Sequence, residues 1–161
     1  IDYEGPIALR YPRGEAYDGL QEFRAPVVYG KSELLYDECG LVLVAVGSMV
    51  KTALQVREML KGIGYSCTIV NGRFVKPVDE EMLQYLAADH SMIVTMEENV
   101  KSGGFGEKVL EYYNETGADV QVLQIALPDD YIEHGNVDVL KQETCIDAES
   151  IFKRIVARYQ A

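Results

Sequence analysis

The sequence predicts a three-layer α/β/α domain built on one mostly parallel sheet, and three observations predict it. The run Leu41–Val46 is entirely apolar, which is typical of a strand buried on both faces. Further strand-like runs occur at Tyr65–Val70, Ser91–Met96 and Val120–Ala126. Segments with helical periodicity separate these runs, and parallel strands require such crossovers, which place helices on both faces of the sheet.

A fifth strand, Gly30–Tyr36, precedes the central run. The link between them, Asp37–Gly40, is short, and a short link suits an antiparallel hairpin better than a parallel crossover. We therefore predict one antiparallel strand, joined in a hairpin to Leu41–Val46.

Helical segments follow each of the parallel strands. Apolar residues from Met49 to Leu60 recur on one helical face, and Ser48 is a candidate N-cap for that helix. Asp79 and the two glutamates after it place negative charge at a second helix start, where the helix dipole favours it. Three more helices are expected: one running to about Thr116, a short one at Val137–Lys141, and a terminal one around Ile151–Val156.

Composition limits the classes of function. The chain has 161 residues, 48% of them hydrophobic, which suits one well-buried core. Its formal net charge of −11 argues against nucleic acid or an anionic membrane as a partner, because phosphate binding would be repulsive on average. No apolar run approaches the ~20 residues of a membrane span, and no signal peptide is indicated.

The three cysteines, Cys39, Cys67 and Cys145, show no CxxC spacing and suggest neither a zinc site nor a disulfide framework. We expect reduced thiols and a cytoplasmic protein. Residues 1–24 differ from the rest, since a strand-like stretch at Ile7–Tyr11 stops at Pro12 and polar sequence follows. We interpret 1–24 as the end of a preceding domain plus a linker, and 25–161 as the globular domain. Because the chain starts at Ile1 rather than Met, we expect a piece of a longer protein.

Glycine motifs give little support for nucleotide binding. Gly47-Ser48 follows the central strand, but no GxGxxG fingerprint is present, so a turn with an N-cap is the simpler interpretation. Ser102–Gly106 could cradle an anion with backbone N–H groups at a helix start, although it lacks the ending of a P-loop. The alternative is that Gly103 and Gly104 allow close packing against another chain or domain.

A few polar residues are candidates for a functional role. Arg10 and Arg13 lie three residues apart beside a proline and could hold a phosphate or carboxylate. His134 could bind phosphate or transfer a proton, or be a surface residue. His90 ends a helix, where capping explains it better.

Glu97 and Glu98 stand at the carboxyl end of a strand, so one of them is a candidate functional residue. Adjacent side chains of a strand point to opposite faces, and we therefore expect no acid/base pair between these two carboxylates.

Four motifs occur in order and cover essentially the whole chain: Gly5–Gly14 (GPIALRYPRG), Asn71–Asp79 (NGRFVKPVD), Thr95–Asn99 (TMEEN) with Gly103–Gly106, and Leu127–Gly135 (LPDDYIEHG). Together they resemble the C-terminal part of the 1-deoxy-D-xylulose-5-phosphate synthase family, thiamine-diphosphate enzymes related to transketolase. Any one motif would also fit other transketolase-like proteins, including the β chains of 2-oxo-acid dehydrogenases.

The resemblance implies an enzyme that joins pyruvate, with loss of CO₂, to glyceraldehyde 3-phosphate, giving a precursor of isoprenoids, thiamine and pyridoxal. It implies that thiamine diphosphate and Mg²⁺ are held by the first two domains, and that this chain has no catalytic, cofactor or metal residue. This chain would be the third domain of a homodimeric enzyme, preceded by the end of its pyrimidine-binding domain. Arg13 would contact the substrate phosphate, with Arg10 as a second candidate. The implied strand order is 1-3-2-4-5 with strand 1 antiparallel.

Two stretches depart from the family's usual pattern. Gly72 stands where relatives more often have alanine or another side chain, and Asn99–Ser102 differs from some relatives, so no catalytic role is carried onto that loop. Two other interpretations stay open at this point. One is a stand-alone anion-binding or regulatory module, and the other is the matching domain of a transketolase or of a 2-oxo-acid dehydrogenase β subunit.

Overall fold

In the part of the chain that the structure describes, five strands form a single sheet in the order β1-β3-β2-β4-β5. The computed structural model describes residues 4–6, 8 and 17–159. The strands are β1 (Glu33–Tyr36), β2 (Gly40–Ala45), β3 (Cys67–Asn71), β4 (His90–Val100) and β5 (Gln121–Leu127). β1 is antiparallel to β3, whereas β2–β3, β2–β4 and β4–β5 are parallel pairs. The predicted mostly parallel sheet with one antiparallel strand is confirmed, and so is the strand order that the resemblance implied.

Five helices connect and cover the strands within the described part of the chain. They are α1 (Met49–Gly62), α2 (Glu80–Asp89), α3 (Phe105–Thr116), α4 (Val137–Glu143) and α5 (Ala148–Tyr159). All five were expected from the sequence. At the start of α2, the side chain of Asp79 accepts a hydrogen bond from Met82 N, so this residue caps the helix as well as placing charge there.

The central strand β2 divides the core into two layers. Its odd-numbered residues from Leu41 to Ala45 join a cluster with α1 and α5. Val42 and Val44 join a second cluster with α2 and α3 on the other face. All five residues are at most 1% exposed. The prediction of a strand buried on both faces, inside an α/β/α sandwich, is therefore confirmed.

The predicted hairpin between β1 and β2 is wrong. β3 lies between them, and β1 pairs with β3 through Glu33–Asn71 and Leu34–Val70. Crossing one intervening strand requires about two inter-strand spacings, roughly 10 Å, and the residues between Tyr36 and Gly40 can span that distance when extended. A link of this length is therefore compatible with a β1–β2 hairpin and with a crossing of β3. Which one forms depends on whether β3, which comes later in the chain, pairs between the two strands.

The side-chain carboxylate of Glu38 holds the link between β1 and β2 against the start of β3. Glu38 accepts a hydrogen bond from Cys67 N at 2.8 Å and forms an ion pair with Arg57, whose side chain is 9% exposed. Glu38 N donates to Thr68 Oγ1 at 2.9 Å. Burial alone would raise the pKa of Glu38, but the Cys67 N–H and the Arg57 guanidinium outweigh it and hold that pKa below its ordinary value. Burial raises the pKa of the Cys67 thiol to about 12, so this cysteine is an inert core residue.

His90 belongs to the same buried junction. It is the residue that ends α2, and its Nδ1 lies 2.9 Å from Leu86 O. Its Nε2 lies 2.8 Å from Thr68 Oγ1 and 3.0 Å from Glu38 O. The capping interpretation of His90 is confirmed, and the ring additionally joins the start of β4 to the link before β2.

Candidate functional site

The carboxyl ends of β2, β3, β4 and β5 meet at one edge of the sheet, because these strands are mutually parallel. From β2 the chain moves first to β3 on one side and then to β4 on the other. The ends of β2 and β4 therefore form the topological switch point, where open α/β sheets bind their ligands. Gly47, with φ of +58°, turns the chain out of β2 at this point.

Glu97 occupies the anion position at the start of α3. The residue is 4% exposed, and its carboxylate accepts hydrogen bonds from Phe105 N and Gly106 N, both at 2.8 Å. These are the backbone donors that could have cradled an external anion. A Cβ at Gly104 would come within 2.7 Å of the Glu97 carboxylate, and one at Gly106 within 2.5 Å of Thr95 Oγ1.

Gly104 and Gly106 therefore serve close packing, one of the two interpretations, whereas Gly103, the other glycine named in it, serves the turn through its φ of +71°. The side chains that pack against the first two glycines, Glu97 and Thr95, belong to the same domain, whereas we expected contact with another chain or domain. The helix dipole and two charge-assisted hydrogen bonds stabilise Glu97 where solvent cannot. Within the described residues, this cradle is filled by the protein itself.

Glu98 points the other way, toward α4 and the turn after β2. Its Oε1 pairs with Lys141 Nζ at 2.5 Å, and its Oε2 accepts from Ser48 Oγ. The two adjacent carboxylates form no pair with each other, as predicted from strand alternation. Ser48 stands at the N-cap position of α1 but makes no capping hydrogen bond with its side chain, so that part of the expectation is wrong. Its hydroxyl is engaged by Glu98 instead.

His134 lies in an exposed stretch after β5, and its role stays a prediction. The α4 helix that follows has no buried residue, and its N-cap Asn136 accepts from Asp138 N at 2.9 Å. Arg10 and Arg13 fall outside the residues that the structure describes, so their proposed phosphate contact also stays a prediction.

An open cavity of about 610 Å³, which the sequence did not indicate, lies beside the end of β5. Its charged lining is of mixed sign: Lys101, Glu107, Asp129, Glu143 and Arg154. Arg154 donates from its guanidinium to Gln124 O at 3.1 Å, which covers a carbonyl of this edge strand. Such mixed charge defines no single ligand chemistry.

The motif Asn71–Asp79 follows β3, on the side of the sheet away from β5, and it has a structural role there. Arg73 forms an ion pair with Glu33, whose side chain is 8% exposed. The same guanidinium donates to Ala25 O and Pro26 O, both at 3.2 Å. This arginine thus connects the loop after β3, the edge strand β1 and the segment entering the domain.

The described residues offer neither a metal-binding cluster nor a membrane-spanning helix. No grouping of three or more histidine, cysteine, aspartate or glutamate side chains there could hold a metal ion. None of the helices in this part of the chain is long and apolar enough to cross a lipid bilayer.

A mostly parallel five-stranded sheet of this order is the fold of transketolase-type C-terminal domains. Residues 30–151 match the family described as "Transketolase, C-terminal domain", and the chain belongs to that family. The resemblance in the sequence is thereby confirmed at the family level.

The curated relatives of this chain indicate one group of enzymes within the family. The chain is 47% identical to 1-deoxy-D-xylulose-5-phosphate synthase of Lachnoclostridium phytofermentans over 96% of its length, which is 25% of that protein. It is 40% identical to the synthase of Heliobacterium modesticaldum over 94% of its length and 24% of that protein. The chain therefore spans about a quarter of the length of the curated relatives it matches, at their C-terminal end.

Solved structures show the same fold. A split-gene transketolase, described as an inactive β4 tetramer, superposes with a TM-score of 0.79 at 23% identity, over 91% of this chain and 46% of that one. A transketolase from Pichia stipitis gives a TM-score of 0.60 at 18% identity, over 81% of this chain and 18% of that one. At these identities the likeness establishes the fold alone.

Proposed function

We propose that this chain is the C-terminal domain of a thiamine-diphosphate-dependent synthase. The whole enzyme would join pyruvate and glyceraldehyde 3-phosphate into 1-deoxy-D-xylulose 5-phosphate with release of CO₂. The observation that carries the proposal is the 47% identity, across 96% of the chain, to a protein named for that reaction. Four family motifs in order, from Gly5 to Gly135, support the same assignment.

The domain's own contribution would be structural, with contacts to the other domains of the enzyme and to the second subunit of a homodimer. Thiamine diphosphate, when bound, supplies the electron sink that allows pyruvate to lose CO₂. The sheet edge described above does not fit a diphosphate, because the buried backbone donors at the start of α3 are already taken by Glu97. As the family resemblance implies, the preceding domains would hold the cofactor and its Mg²⁺, and residues 1–24 would be the end of the second domain plus a linker.

One substrate contact would come from this chain. The guanidinium of Arg13 would hold the phosphate of glyceraldehyde 3-phosphate, with Arg10 as the second candidate, because arginine matches phosphate oxygens with paired donors. Pyruvate has no phosphate, so these arginines would act on one substrate only. A 2-oxo-acid dehydrogenase, which uses no sugar phosphate, would leave such an arginine without a partner.

The test is steady-state kinetics of the full-length enzyme with Arg13→Ala. We expect KM for glyceraldehyde 3-phosphate to rise by about ten- to a hundredfold, the range of one lost charge-assisted contact of ~1.5–3 kcal/mol, with little change in KM for pyruvate. Arg24→Ala is the matched control, since among the described residues this exposed arginine donates hydrogen bonds to Gln21, three residues away. Equal effects on both substrates would refute the phosphate contact. Full-length protein that forms no 1-deoxy-D-xylulose 5-phosphate would refute the proposed function.

A further inference from the structure

An apolar patch lies where the chain enters the domain. Val27, Val28 and Tyr29 are 71%, 56% and 70% exposed, and Val75, the residue after the Tyr29 ring partner Phe74, is 45% exposed. Single exposed apolar side chains are ordinary, but three consecutive ones beside a fourth form a patch of the kind that marks an interaction surface. We call these four residues the entry patch.

The entry patch is held in place by the domain. Arg73 donates to the carbonyls of Ala25 and Pro26, immediately before it, and is itself fixed by Glu33. The ring of Tyr29 packs edge-on against Phe74, with centroids 5.5 Å apart. These contacts tie the patch to the motif loop that contains Val75.

The other end of the segment is fixed as well. Lys31 N donates to Val28 O at 3.1 Å, and Ser32 N donates to Asp79 Oδ2 at 2.7 Å. A segment pinned on both sides presents its apolar side chains in one arrangement, so little conformational entropy would be lost when a partner covers them.

We infer that the entry patch is the docking surface for the domain immediately upstream in the same polypeptide. This inference rests on the proposed function, in which three-quarters of the enzyme precedes this chain, as the relatives' lengths indicate. Residues 25–29 are the first part of the domain that an incoming chain reaches. A tethered partner is present at high effective concentration, so a modest apolar surface is sufficient for it to dock.

The test compares thiol labelling of two cysteine variants, Val28→Cys and Val75→Cys, in the 161-residue chain and in the full-length enzyme. Iodoacetamide labelling is followed peptide by peptide by mass spectrometry, and circular dichroism verifies that each variant is folded. We expect both introduced thiols to label about tenfold or more slowly in the full-length enzyme, because reaction there must await opening of the contact. Ile63→Cys, at a 50% exposed apolar residue just after α1, is the matched control and should label equally in both.

Equal labelling of the Val28→Cys and Val75→Cys variants in the two proteins would overturn the inference. Protection that disappears on dilution would overturn it too, since it would indicate a second copy of the protein as the partner. The readout needs no catalysis, so it separates the two proposals. An inactive full-length protein with protected thiols removes the proposed function alone, and an active one with unprotected thiols removes the docking surface alone.

Discussion

Replacing Glu97 by glutamine should destabilise the domain markedly, although the two side chains have the same shape. The carboxylate accepts from Phe105 N and Gly106 N with one oxygen each. Glutamine keeps one oxygen, so its NH₂ group must face the other backbone N–H, a donor against a donor. The lost charge-assisted hydrogen bond accounts for about 1.5–3 kcal/mol, and the lost charge at the helix start for up to ~2 kcal/mol. We therefore expect a decrease of roughly 2–4 kcal/mol in the free energy of unfolding.

Urea unfolding followed by circular dichroism at neutral pH measures this decrease directly. Glu98→Gln is the matched control, because its partner Lys141 is partly exposed and such pairs contribute about 0–1 kcal/mol. The reasoning is refuted if Glu97→Gln costs no more than Glu98→Gln. An unchanged m-value, the slope of the free energy of unfolding against urea concentration, would show that both variants expose the same surface on unfolding as the parent.

Two further predictions concern Glu38, in the link before β2, and the two glycines Gly72 and Gly106. Because the pKa of Glu38 is lowered in the folded state, its contribution to stability is present above the unfolded pKa of about 4.3 and is lost as pH falls through the folded pKa. Acid titration of unfolding should therefore show a smaller loss of stability in Glu38→Gln than in the parent, and an equal loss would contradict this. Gly72→Ala should be neutral or stabilise by up to about 1 kcal/mol, since its Cβ would lie 3.4 Å from the Phe105 ring in ordinary contact. Gly106→Ala, which meets Thr95 Oγ1 at 2.5 Å, should lower the melting temperature, and equal melting temperatures for the two variants would contradict the packing argument.

The core was predictable because its signals are local. Each residue of Leu41–Ala45 is apolar, so burial on both faces follows whichever way the strand alternates. The start of α2 was equally clear, since Asp79 is followed by two glutamates in the first turn of the helix. In both cases a few neighbouring residues contain all the information that the structure uses.

The pairing of β1 could not be obtained in the same way. The residues Asp37–Cys39 fit a hairpin and a crossing of β3 equally well, and β3 comes some thirty residues later. The decisive contacts are those of Glu38 with Cys67 and Thr68, which no local pattern contains. The family resemblance supplied the order because it summarises such distant contacts.

The edge of the sheet shows the same division. The sequence located both the glycine cradle and the two carboxylates, but not that Glu97 fills the cradle and Glu98 engages Ser48. Strand alternation separates the two side chains without saying which faces α3. The entry patch was not foreseen either, because its meaning depends on Arg73 and Phe74, far along the chain.

In our interpretation, the sheet edge of this domain serves the stability of the fold, and other domains would bind the cofactor. Isothermal titration calorimetry of the 161-residue chain with thiamine diphosphate and Mg²⁺ tests this most directly. With the donors at the start of α3 occupied by Glu97, we predict no saturable heat of binding. Saturable binding in the micromolar range would contradict the interpretation.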